Sequence, residues 1–143
     1  MFIAVQTIRN KQLRRNEICL ITTHCLQLDI TNQGKQKNTH VMNFSFLKKP
    51  SNSAFPFDLK ETLIKRGSKR ANVQLCLDER GMLDMFTRHV ESYDPDFFAG
   101  HDLYTKHLDV IINRLSFIRE TFWNRISRLR FRGMPARGDT GSI

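Results

Sequence analysis

The sequence predicts a single domain of mixed α/β fold. Its 143 residues fit one ordinary domain, and a hydrophobic content of 40% is enough for one core. Strand patterns fill residues 1–56, which we assign to a strand meander, whereas residues 57–143 combine helical patterns with two short strands. This order of elements favours a sheet with helices packed beside it.

Three strand patterns follow one another at the start of the chain. Residues 2–8 are mostly apolar, residues 17–30 mix apolar with β-branched side chains, and Val41–Leu47 alternates with one apolar face. A basic stretch, Arg9–Asn16, suits an exposed turn between the first two. Because the connections are short, these strands predict an antiparallel meander.

A helix and a fourth strand are predicted next. Asp58 has the position of a helix N-cap, and Glu61 follows three residues later, as in a capping box. Gly67 is placed to end this helix. Residues 72–77 then show the apolar alternation of a short strand.

Helical patterns dominate the remainder. Gly81–Ser92 has apolar residues at helical spacing and is stopped by Asp94-Pro95. Phe97–Gly100 predicts a short apolar strand that ends in glycine. Leu108–Leu115 follows the i, i+3, i+4, i+7 template, and Thr121–Leu129 predicts a final helix.

Charge is distributed unevenly along the chain. The net charge is +9, and so basic a chain is attracted to polyanions, of which nucleic acid is the commonest. From Asp78 to Asp109 there are eight acids against three bases, whereas from Arg119 to Arg137 there are six arginines against Glu120 alone. We therefore expect this basic segment to contact phosphates, with a merely solvated surface as the alternative. The residues expected to do so are Arg125, Arg128, Arg130 and Arg132.

No motif in the sequence points to a metal site or to a membrane. The three cysteines, Cys19, Cys25 and Cys76, form no C-x-x-C pair, and the five histidines lack the spacing of zinc ligands. We expect reduced thiols, as in a cytosolic or nuclear protein. No run of about 18 apolar residues exists and the N-terminus lacks the pattern of a secretory signal, so we expect no membrane partner.

Two segments carry a resemblance to a known family. Residues 94–104 have the sequence DPDFFAGHDLY, in which an apolar strand ends in Gly-His before a helix. This pattern is similar to a signature of family-B DNA polymerases. Residues 122–130 have the sequence FWNRISRLR, followed by Gly133-Met134-Pro135, and resemble the alpha branch of that family. The similarity extends from about Ala4 to Pro135.

The resemblance implies a ribonuclease-H-like fold, in which a mixed sheet has flanking helices. In proofreading members this domain removes mismatched 3′ ends with two metal ions held by carboxylates. The third proofreading motif of the family falls after Ile143, so we expect the fold to be incomplete at the C-terminus. On this basis, residues 1–143 are the N-terminal part of an inactive 3′–5′ exonuclease-like domain.

Four positions match the first two proofreading motifs. Ala4 and Gln6 stand where the first motif has Asp and Glu, and Asp102 and His107 stand where the second has Asn and Asp. A methyl group, a neutral amide and an imidazole do not hold a hard cation as carboxylates do. We therefore predict degenerate exonuclease positions, with no catalytic residue and no metal site. Ordinary structural roles for Asp102, near a helix start, and for His107, on a helix face, are the alternative.

The resemblance also implies a parent enzyme. That parent is a DNA-directed DNA polymerase, a nucleotidyltransferase that extends RNA primers with deoxynucleotides when replication begins. It uses magnesium and works in the nucleus with DNA, RNA-primed template, primase and accessory subunits. Within it, this chain is expected to be a scaffold that contacts DNA, lacks proofreading and needs no cofactor of its own. A stand-alone nucleic-acid-binding module of ribonuclease-H-like fold and an active 3′–5′ exonuclease are the two alternatives.

Overall fold

The computed structural model describes residues 1–10, 14–27, 40–49, 54–66, 71–119 and 121–128. Within these ranges, the strands are β1 (Phe2–Asn10), β2 (Arg15–Gln27), β3 (His40–Lys48) and β4 (Ala71–Cys76). They form one sheet in the order β1, β2, β3, β4. The first three are antiparallel neighbours, whereas β4 is parallel to β3. The predicted antiparallel meander is confirmed, and the fourth strand makes the sheet mixed.

The connection between the parallel strands β3 and β4 contains a helix, α1 (Leu59–Arg66). Asp58 lies at its start, where its carbonyl oxygen accepts the backbone N–H of Thr62 at 2.8 Å. The predicted helix is therefore present, and it begins directly after the predicted cap. Gly67, the predicted end of α1, and residues 28–30 of the predicted second strand lie outside the described residues.

One face of the sheet carries the core. Ile3 lies opposite Thr23 on β2, and Ile21 lies opposite Phe46 on β3. All four side chains are buried. Because side chains alternate along a strand, Ala4 points to the opposite face of β1, where it is exposed.

The longest helix, α2 (Glu79–Tyr93), packs its apolar stripe on this face. Asp78 is its N-cap and accepts the backbone N–H of Gly81 at 2.7 Å. Asp94 ends it in a left-handed conformation, with φ of 45°. The helix predicted over Gly81–Ser92 is confirmed, and it begins two residues earlier because of the Asp78 cap. The buried stripe consists of Met82, Leu83, Phe86 and Val90.

The next helix, α3 (Asp109–Ile118), buries Ile111 and Leu115 against the same core as α2. It continues from a π-helical segment, Leu103–Leu108, whose last residue is the predicted start of the α-helix. The predicted final helix is instead a 3-10 segment, Thr121–Ile126; Leu129, its predicted end, lies outside the described residues. Among the helices that the structure describes, none is long and apolar enough to cross a membrane.

The strand predicted over Phe97–Gly100 is not a regular strand. It makes a single parallel bridge, between Ala99 and Phe2 on the free edge of β1. Around this bridge, the N–H of Ala99 donates to the carbonyl of Met1 and the N–H of Ile3 donates to the carbonyl of Ala99, both at 2.9 Å. The pairing stops there because the chain turns at Asp102, which has a left-handed φ of 53°, into the π-helical segment.

A buried ion pair joins β2, α2 and α3. Glu79, at the first turn of α2, accepts hydrogen bonds from Arg114 Nε at 2.8 Å and from the backbone N–H of Ile18 at 2.9 Å. A second bond comes from the Arg114 Nη2 atom, so the pair is bidentate. These hydrogen bonds with Glu79 raise the pKa of Arg114. The two helices are thus fixed to the sheet by charge as well as by apolar packing.

Candidate functional site

The edge of β1 and the π-helical segment bring three of the four candidate positions together. His107 accepts the backbone N–H of Val5 through its Nδ1 atom, at 3.2 Å. Val5 lies between Ala4 and Gln6 on β1, where the pairing with β2 shifts register directly after Gln6. The backbone that carries the first motif therefore lies beside the imidazole of the second.

A glycine permits this close approach. A Cβ atom on Gly100 would lie 2.8 Å from the carbonyl oxygen of Ile3 and 3.5 Å from the ring of His107. The first distance is shorter than a real carbon–oxygen contact, so a side chain at this position would push the segment away from β1. Gly100 thus sets how close His107 comes to the strand.

Asp102 uses its carboxylate locally. Its Oδ1 atom accepts the hydroxyl of Thr105 at 2.5 Å, and Lys106 Nζ lies 3.2 Å from its Oδ2 atom. The hydrogen bonds from Thr105 and Lys106 lower the pKa of Asp102. These contacts hold the turn that opens the π-helical segment, which is the structural role that we gave as the alternative.

The donor set at these positions does not suit a divalent metal. Ala4 offers no ligand atom, Gln6 offers only a neutral amide, and the Nδ1 atom of His107 is occupied by a backbone N–H. Magnesium prefers several carboxylate or water oxygens in an octahedral arrangement. Across the part of the chain that the structure describes, no group of three or more His, Cys, Asp or Glu side chains is placed to hold an ion.

The predicted phosphate-binding arginine Arg125 packs onto α2. Its Nη1 atom lies 2.6 Å from Asp84 Oδ1, and its Nε atom lies 3.5 Å from Glu91 Oε2. Burial alone would raise the pKa of Asp84, but the hydrogen bonds from Arg125 and Arg88 outweigh it and lower that pKa. The guanidinium also lies over the ring of Phe122 at 5.4 Å. Arg125 therefore fastens the 3-10 segment to α2.

Arg128 is paired with the end of the same helix. Its Nε atom donates to Asp94 Oδ1 at 2.7 Å, and its Nη2 atom donates to Asp96 Oδ1 at 2.8 Å. These carboxylates, that of Asp94 first, raise the pKa of Arg128. A phosphate that binds Arg125 or Arg128 must therefore compete with carboxylates of the same chain. Arg130 and Arg132 lie outside the described residues.

The acidic partners of these arginines were missed when the sequence was considered alone. Asp84, Asp94 and Asp96 stand in the acidic half of the segregated charge pattern, and the two arginines stand in the basic half. Segregation of opposite charge along one chain could have predicted that the halves pair with each other.

Comparison with known proteins gives one family. The exonuclease-domain model of DNA polymerase family B matches residues 11–142. The chain is 32% identical over 139 residues to the DNA polymerase alpha catalytic subunit of Xenopus laevis, and 30% identical over 141 residues to that of Mus musculus. These alignments cover 95% and 96% of the chain but only 9% of each relative, so the chain spans less than a tenth of their length. The mixed sheet with flanking helices is consistent with the ribonuclease-H-like fold of this family.

Proposed function

The chain belongs to the exonuclease-domain family of family-B DNA polymerases, and we propose that it is a DNA-contacting scaffold without proofreading in a polymerase of the alpha type. In this proposal the parent enzyme extends RNA primers with deoxynucleotides in the nucleus, with primase and accessory subunits as partners. The names of the relatives support a polymerase parent. Magnesium belongs to the parent's polymerase centre, and no step in these 143 residues uses it.

We infer the absence of proofreading from one observation. The strand position that must supply carboxylates for a two-metal exonuclease has a methyl group at Ala4 and an amide at Gln6. Beside them, His107 is held by the N–H of Val5 at 3.2 Å, so its Nδ1 lone pair is already used. Removing a terminal nucleotide would require a metal-activated water for which these side chains offer no ligands.

The basic surface supports DNA contact. The net charge is +9, and the side chain of Arg128, two residues after the 3-10 segment, is 60% exposed. Phosphate contacts release counterions, so the affinity should fall as the salt concentration rises. Arg128 binds in this proposal by exchanging its carboxylate partners for a phosphate, which keeps its hydrogen bonds charge-assisted.

The test uses a labelled primer–template and the 143-residue chain. Binding is followed by fluorescence anisotropy at about 50 and 200 mM salt, and the primer's 3′ end is followed on a gel with magnesium or manganese. Arg128→Gln is compared with Arg88→Gln, because both arginines are similarly exposed and paired with an acid.

We expect salt-weakened binding without shortening of the primer. Arg128→Gln should lower the slope of log affinity against log salt by about one, whereas Arg88→Gln should leave it unchanged. Metal-dependent shortening by the purified chain would overturn the absence of proofreading. Undetectable binding at the lower salt concentration would overturn the DNA-contacting role.

A further inference from the structure

A second charged surface lies where β2 begins and β3 ends. It is a cleft of about 390 Å³, closed on its other sides by the start of α2 and the last turns of α3. This volume is in the range of pockets that bind one small-molecule-sized group. None of the four degenerate exonuclease positions, and neither Arg125 nor Arg128, contributes to its lining.

The cleft keeps an excess of positive charge. Five basic and three acidic side chains line it. Glu17 pairs with Lys48 and also lies 3.5 Å from Arg15 Nε, whereas Glu79 pairs with Arg114. The third acid, Asp78, accepts the N–H that caps α2. Arg15 and Lys49 also line the cleft.

Arg15 has unused hydrogen-bonding capacity in this cleft. Its Nε atom is buried and has no hydrogen-bond partner among the described residues. The nearest carboxylate oxygen, Glu17 Oε1, is 3.5 Å away and already accepts the amide of Asn10 at 3.0 Å. Because buried donors are normally satisfied, this one is a donor that a bound acceptor group could use.

An exposed aromatic ring stands beside Arg15. Phe117, in the last turns of α3, is 60% exposed. The guanidinium carbons of Arg15 and Arg114 lie 4.8 and 4.9 Å from its ring centroid. Two planar cations and an exposed ring together form the kind of surface on which unpaired bases stack.

We propose that this cleft is a second nucleic-acid site, which takes a single-stranded segment. A backbone phosphate is bound by Arg15 and Lys49, and the adjoining base stacks on the surface formed by Phe117 and its arginines. An acidic peptide would use the charges but not the planar surface, and a duplex would not present an unstacked base. Single-stranded nucleic acid is therefore the partner that uses both features. The site goes beyond the contact proposed for Arg128 and shares no residue with it.

The test measures binding of a fluorescent oligothymidine of about 12 nucleotides to the 143-residue chain. The variants are Lys49→Gln and Phe117→Ala, with Lys106→Gln as the charge-matched control, because Lys106 is an exposed lysine on the π-helical segment. Phe117→Tyr keeps a stacking ring and separates stacking from folding. An unlabelled glutamate peptide of similar length serves as a competitor with charge but without bases.

We expect Phe117→Ala to weaken binding by about 5- to 100-fold and Phe117→Tyr to restore it. Lys49→Gln should lower the salt slope by about 0.7, the value for one phosphate on a single strand, while Lys106→Gln leaves it unchanged. Equal effects of Lys49→Gln and Lys106→Gln, or unchanged binding by Phe117→Ala, would overturn the proposal. The proposal would also be overturned if the glutamate peptide displaced the labelled oligonucleotide as effectively as unlabelled oligothymidine. If only Arg128→Gln weakens binding, the proposed function stands and this site does not.

Discussion

Replacing Glu79 by alanine should strongly destabilise the fold. The side chains of Glu79 and Arg114 are only 8% and 11% exposed, and Glu79 also accepts the N–H of Ile18. Alanine would leave the Arg114 guanidinium buried without its counter-charge and the Ile18 amide without its acceptor. Breaking one side of a buried ion pair costs about 3–5 kcal/mol.

That magnitude is large against the stability of one domain. Total unfolding free energies are about 5–15 kcal/mol, so Glu79→Ala should remove about a fifth or more of the total. With a urea m-value of about 1–3 kcal/mol/M, the unfolding midpoint should fall by roughly 1–5 M. Combining Glu79→Gln with Arg114→Met removes both charges and keeps an amide oxygen for Ile18. This double variant should recover most of the loss, since the cost comes from the unpaired charge.

Urea unfolding followed by circular dichroism measures these differences. Arg88→Gln is the control, because it breaks an i,i+4 pair on α2 in which the Arg88 side chain is 65% exposed. Such a pair contributes about 0.5 kcal/mol or less. The reasoning is refuted if Glu79→Ala costs no more than the control, or if the double variant is no more stable than Glu79→Ala.

Three further predictions concern other parts of the structure. Burial lowers the pKa of His89, so the folded chain binds fewer protons than the unfolded one, and stability should be full above about pH 6.5 and fall as the pH drops below it. His89→Gln should flatten this part of a plot of melting temperature against pH, and an unaltered slope would contradict the burial argument. Gly100→Ala should destabilise by about 1–3 kcal/mol in urea, because its Cβ would meet the Ile3 carbonyl; a variant as stable as the parent would count against this close approach. Asp84→Asn should loosen the 3-10 segment and red-shift the emission of Trp123, the single tryptophan, whereas an unshifted spectrum would show that this ion pair does not hold the segment.

Periodicity predicted the regular elements well and the irregular ones poorly. Apolar and β-branched content located β1 and β2, and alternation located β3. The spacing of Met82 and Phe86 located α2, because it reports which face of the helix is buried. The π-helical segment at Leu103–Leu108 shares only Leu108 with the helical template that the sequence shows, so the pattern did not predict it. The single bridge at Ala99 depends on where the chain turns next, which is set by the left-handed Asp102.

The sequence predicted which residues occupy the candidate site, but not how they are arranged in space. The motif positions gave Ala4, Gln6 and His107, and the structure places the first strand beside the imidazole. The hydrogen bond from Val5 to His107 could not be predicted from the sequence. It depends on a close approach between two segments that only a glycine at position 100 permits. Whether these residues abolish proofreading stays a prediction for the primer assay.

The two described arginines of the basic segment differ in how easily they can exchange partners. Arg125 and Asp84 are only 26% and 28% exposed, so their attraction is weakly screened, and releasing the arginine would also uncover the ring of Phe122. Arg128 and its partners are each at least 60% exposed, and exposed pairs contribute little because water and salt compete with them. A phosphate can therefore replace the partners of Arg128 with little loss, but not those of Arg125. We accordingly expect Arg125 to hold the segment on α2 and Arg128 to make the phosphate contact.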